Sequence, residues 1–168
     1  MKIVSLLAVA LISVSATAEV VKIADCKPLT PDLVVLPGDN ANVKGTALRA
    51  SSIVLSQDGL GEFGPILKAD FTGTDVEGKP LQKSISAEYS TAIGSDYMSF
   101  SRSADVPHES FQSIKMEIEM IREGNEDVPK KALFSVFAIG SRKTTQGKLV
   151  NTTETTHSLC DVVQRMTK

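Results

Sequence analysis

The chain of 168 residues holds two cysteines, Cys26 and Cys160, one near each end. No other feature of the sequence restricts the fold as much. In an oxidising compartment an even pair reads first as one disulfide. Such a bond would close a loop of about 135 residues, and restricting the unfolded ensemble in this way is worth about 4–5 kcal/mol in the chain-entropy treatment. The first and last elements of the fold must then lie side by side.

The amino terminus points to the compartment. Lys2 gives a positive start, Ile3 to Val14 form an apolar run, and Ala16-Thr17-Ala18 has the small residues of a cleavage site. Residues 1–18 therefore read as a signal peptide and Glu19 as the first residue of the mature chain. Because that residue is Glu and not Cys, a lipid-anchored product is not expected. No later run approaches the ~20 apolar residues of a membrane helix. The expectation is a periplasmic or secreted protein with no transmembrane anchor after cleavage. Residues 19–168 are the right length for a single domain. The formal net charge of −2 gives no general attraction to nucleic acid, so nucleic acid is not expected as a partner. Lys130-Lys131 and Arg142-Lys143 read as solvated turns.

Most of the mature chain alternates with a period of two. In Ser113–Glu123 the apolar Ile114, Met116, Ile118 and Met120 alternate with Lys115, Glu117 and Glu119. A second apolar run, Lys131–Ser141, follows after the turn-rich Gly124-Asn125-Glu126-Asp127-Val128-Pro129. Together they predict a long hairpin. A helix competes for the same stretch, since Phe111, Ile114, Ile118 and Ile121 have helical spacing and Gly124-Asn125 suits a C-cap. The neighbouring segments are short, β-branched and rich in Ser and Thr, which favours the strand.

Further strands are predicted at Val20–Ala24, Leu33–Leu36, Thr46–Ser56, Pro65–Phe71, Leu81–Thr91 and Tyr97–Arg102, with a Thr-rich edge strand at Gly147–Thr156. Within Thr46–Ser56 apolar residues fall on both parities, which suggests a strand covered on both faces near its end. At the carboxyl end Leu159, Val162, Val163 and Met166 are spaced i, i+3, i+4 and i+7 behind Ser158, which predicts a short C-terminal helix, with a last strand as the alternative. Eight or nine short strands with regular turn signals predict an all-β antiparallel fold. A β-sandwich with Greek-key or jelly-roll connections is favoured over a closed barrel, because the strands and links are unequal in length.

Candidate chemistry is sparse. His108 sits among Asp105, Glu109 and Ser110, but adjacency in sequence does not bring a catalytic triad together, and a Gly-x-Ser-x-Gly elbow is absent. Cys26, His157 and Cys160, with Asp25 and Asp161 beside them, form an alternative metal-ligand set that requires both thiols to be free. Asp70–Gly78 and Glu123–Asp127 lack the order of a calcium loop, and no glycine-rich cradle follows a strand. Asn151-Thr152-Thr153 is a glycosylation sequon. With no Trp and two Tyr, stacking platforms for sugars or single strands are disfavoured. These residues imply a protein without catalysis and without a cofactor, acting by binding another protein or an envelope component. The alternatives are the metal site and, if the strands close around a cavity, a carrier of a small apolar ligand.

Overall fold

The structure, a computed structural model, describes residues 20–30, 33–36, 46–93, 96–104, 112–124, 128–143 and 149–167, with backbone alone at 33–36, 46, 103–104, 112, 139–143 and 149–154. The signal-peptide reading of 1–18 and His108 lie outside the described residues. The strands are β1 (Val20–Pro28), β2 (Leu33–Leu36), β3 (Thr46–Leu60), β4 (Pro65–Thr74) and β5 (Pro80–Ile93). They continue as β6 (Tyr97–Ala104), β7 (Gln112–Ile121), β8 (Lys131–Lys143) and β9 (Leu149–Val162).

From β3 to β9 each strand pairs antiparallel with the next. The sheet then closes on itself, because β1 is hydrogen-bonded on one side to β9 and on the other to β3. β2 continues the line of β1, pairing with the earlier part of β3 through Leu33↔Arg49 to Leu36↔Thr46. Nine segments thus make a closed up-and-down barrel of eight staves. The expected sandwich is corrected to a barrel. Strand alternation is the same in both, and only the pairing of β1 on both of its edges separates them.

The predicted hairpin is β7 and β8, in register from Ser113↔Ile139 to Ile121↔Lys131. The helical alternative for that stretch is overturned. So is the C-terminal helix: β9 runs on through Cys160 to Val162, and Val163 to Thr167 follow without helix. Ser158 caps nothing, because it faces the interior across from Phe134. β1 meets β9 only from Ser158 to Val162, so the predicted Thr-rich segment pairs with β8 on one side and, among the described residues, carries no strand ladder on the other.

The interior is filled by one parity of each stave. Leu67, Ala69 and Phe71 of β4 meet Ile85 and Ala87 of β5, Phe100 of β6, and Ile114, Met116 and Ile118 of β7. Phe71, Phe100 and Phe134 are fully buried and fill the barrel's middle, as expected when an eight-stave barrel leaves room for side chains alone. The mixed parity in β3 is caused by a bulge and not by double coverage. Pairing with β4 slips between Ala50 and Ser52, so Leu48 and Ala50 and then Ile53, Leu55 and Gln57 all turn inward. Similar slips at Lys22/Ala24 in β1 and Tyr89/Thr91 in β5 supply the bend that closure demands. At the β3 slip the backbones come so close that a Cβ on Gly73 would lie 1.9 Å from the carbonyl oxygen of Arg49.

Cys26 and Cys160 are a directly opposed pair in the β1–β9 ladder and are joined by a disulfide across a sequence separation of 134. The expected staple is therefore also the seam of the barrel. A bond of this kind belongs to an oxidising compartment. No helix among the described residues is long and apolar enough to cross a membrane.

Candidate functional site

The antiparallel order sends the β3–β4, β5–β6 and β7–β8 connections to one end of the barrel, together with the start of β1 and the segment after β9. At this end lies a cleft of about 670 Å³. Its wall is made by Tyr89 and Ala92 of β5, Met98 of β6 and Met120 of β7. Phe63, Gly64 and Pro65 at the β3–β4 turn form a second side, and Arg165, Met166 and Thr167 a third. The size falls within the ~300–1,000 Å³ of ordinary small-molecule sites, and three methionines give a lining that adapts its shape. Tyr89 stands edge-on to Phe100, with ring centroids 6.0 Å apart, so the floor of the cleft is continuous with the core. Gly64 has a positive φ of 146°, and a Cβ there would meet the Tyr89 ring at 3.1 Å. Only a glycine lets the turn fold down onto that ring.

The third side is a strap. After β9, the N–H groups of Val163 and Gln164 donate to the carbonyl oxygen of Ile23 at 2.8 and 3.2 Å. The strap then reaches Gln57, an interior position of β3 that is only 6% exposed. Gln57 Nε2 donates to the carbonyl oxygen of Thr167 at 3.1 Å, and its Oε1 accepts from Thr167 N at 2.9 Å and from Thr167 Oγ1 at 3.2 Å. Arg122 and Asp96 brace the rim with two hydrogen bonds of 2.8 and 2.7 Å between the β7–β8 and β5–β6 connections. Exposed apolar side chains gather at the same end: Val20, Leu60, Phe63, Ile93, Val128 and Val163. Phe63 and Ile93 are 69% and 74% exposed. Scattered apolar residues are ordinary on a surface, but six from five segments at one end form an apolar rim.

A polar row occupies the outer wall. Register aligns Ser99, Glu117, Ser135 and His157 across β6 to β9. Tyr97 Oη donates to Glu117 Oε1 at 2.5 Å, Lys115 Nζ pairs with the same carboxylate at 2.5 Å, and Ser135 Oγ lies 2.8 Å from His157 Nδ1. Burial pushes the Glu117 carboxyl up, but the hydrogen bonds from Lys115 and Tyr97 outweigh it and hold the group below its ordinary range. The same bonds raise Tyr97 and Lys115. A hydrolytic triad places His between Ser and the carboxylate, whereas here Ser135 stands between Glu117 and His157. The row therefore supplies packing and charge pairing on the outer wall.

The alternative metal set is overturned. Cys26 and Cys160 are bonded to each other, and His157 lies on the outer face while Cys160 points inward. Among the described residues no three His, Cys, Asp or Glu side chains come together to hold a metal ion. In the acidic turn after β4, Asp75 Oδ1 accepts from the N–H groups of Glu77 and Lys79 at 2.8 and 2.9 Å, so it is spent on shaping its own turn.

Sequence reasoning missed the cleft. Its walls come from five stretches of the chain, and Gln57 lies just beyond the predicted strand Thr46–Ser56. No family model matches the chain, and no curated protein or solved structure matches it.

Proposed function

We propose that this is an exported, non-catalytic binding protein that carries a small, largely apolar molecule in the strap-end cleft. The observation that carries the reading is the cleft of about 670 Å³, walled by Tyr89, Met98, Met120 and Met166, in the end of a barrel whose middle is solid. A ligand would sit in the mouth of the barrel and not along its axis. The disulfide suits an oxidising compartment, which supports export together with the signal-like start of the sequence. The test is a fluorescence titration with anilinonaphthalene sulfonate on the folded protein. Saturable enhancement is expected in the native chain and its loss in Ala92→Trp, which fills the cleft. If the native chain shows no saturable binding, the carrier reading fails.

The apolar rim favours a second reading, that this end docks onto another protein or an envelope component. Ile93 does not line the cleft, so Ile93→Ser separates the two. It would weaken a protein partner and leave the dye titration unchanged.

A further inference from the structure

The strap is an unusual wall for a binding site because its inner end is fastened to a buried amide. Gln57 turns into the barrel directly opposite Leu67 in the β3–β4 ladder, and both halves of its carboxamide are used by one residue, Thr167. Oε1 takes the Thr167 N–H while Nε2 gives to the Thr167 carbonyl oxygen, so the side chain pairs with both backbone groups of one residue, as a residue of a neighbouring strand would. The rest of the strap has two backbone bonds to Ile23, an interaction of Arg165 and the packing of Met166 against the core. A short segment outside any strand ladder opens more easily than the strands beneath it. Opening it would strand a buried donor and a buried acceptor on Gln57, and that cost keeps the strap closed.

Resting on the carrier reading, we infer that the strap Val163–Thr167 is the gate of the cleft, that Gln57 is its latch, and that the ligand is an apolar chain bearing a primary amide head. Such a head has one donor and one acceptor side by side. It can replace the Thr167 backbone on Gln57, giving Oε1 a donor and Nε2 an acceptor, so the strap lifts without leaving either half of the buried amide unpaired. The apolar chain then lies along Tyr89, Met98 and Met120. An ester of the same length offers an acceptor alone and leaves Gln57 Oε1 without a donor, which a buried site penalises.

The probes are decanamide and methyl decanoate, measured by displacement of anilinonaphthalene sulfonate. Decanamide is expected to bind the native chain at least about tenfold more tightly than the ester, the factor that corresponds to one unsatisfied buried hydrogen-bonding group. Gln57→Leu is expected to abolish that preference and to raise the amide exchange of the strap in the ligand-free protein. In the native chain, decanamide should strip protection from the Thr167 N–H and the ester should not. That measurement needs no variant, so it decides the matter even if Gln57→Leu does not fold. Equal binding of both probes with Thr167 still protected would overturn the latch and leave the carrier reading standing. Failure of both to displace the dye would remove the carrier reading and the latch with it.

Discussion

The seam between β1 and β9 is where a single chemical change should cost the fold most. Its ladder runs over five residue pairs, Ala24↔Val162 to Pro28↔Ser158, with the disulfide at its centre. Replacing both cysteines, as in Cys26→Ala with Cys160→Ala, leaves those pairs in place but frees the unfolded chain. For a separation of 134 residues the chain-entropy expression gives an entropy difference of about 17 cal/mol/K, or about 5 kcal/mol near room temperature. Measured bridges often return less, so a loss of about 3–5 kcal/mol is expected. In a domain of this size that corresponds to a fall in Tm of roughly 6–20 °C, since each kcal/mol is worth about 2–4 °C. Urea unfolding of the native and double-alanine chains, compared at matched m-values, measures it. Amide exchange should show β1 and β9 losing protection ahead of β4 and β5. A loss below about 1 kcal/mol would refute the reasoning, because it would mean that the unfolded chain gains little freedom when the staple is cut.

Three other substitutions test separate parts of the structure. Gly73→Ala should destabilise the barrel by at least about 1–3 kcal/mol in the same unfolding assay, because its Cβ would collide with the Arg49 backbone and not with a movable side chain. Ser158 is buried with no partner for its hydroxyl among the described residues, so Ser158→Ala should be neutral or stabilising, by up to about 1–2 kcal/mol, where most core truncations destabilise. Glu117 has a carboxyl pKa lowered in the folded state, so its contribution to stability is present above the unfolded pKa and is lost as pH falls through the folded value. Glu117→Gln should therefore flatten the acid limb of the stability–pH curve, and an unchanged acid limb would contradict the assigned hydrogen bonds. Tyr97 is raised by its bond to Glu117, so its neutral form is favoured in the folded state and that contribution disappears as pH rises through the folded value. Ultraviolet titration of the phenolate in native and Glu117→Gln chains should show Tyr97 ionising earlier in the variant.

Much of the fold was legible because period-two alternation is a local property. Leu67, Ala69 and Phe71 on one side of Lys68 and Asp70 identify a strand whatever it packs against. The cysteines at the two ends required β1 and β9 to be neighbours, and they are. The C-terminal helix failed for the opposite reason. Leu159, Val162, Val163 and Met166 have helical spacing, but Cys160 is tied to Cys26 and the β1 edge offers β9 a complete ladder as far as Val162. A tertiary partner outweighed a local pattern.

Sequence alone determined most of the strands and pointed to the staple, since these rest on residues a few positions apart or on two cysteines, but it left the metal set of Cys26, His157 and Cys160 open until the two sulfurs were seen joined. Tertiary structure decided whether the sheet closes. That depends on β1 meeting β3 and β9 at once, a pairing between segments far apart in the chain that alternation does not encode. It also decided the candidate site. Gln57, Tyr89, Met120 and Thr167 carry no shared motif, and only closure of the barrel brings a β3 amide, the β5–β7 wall and the strap to the same end.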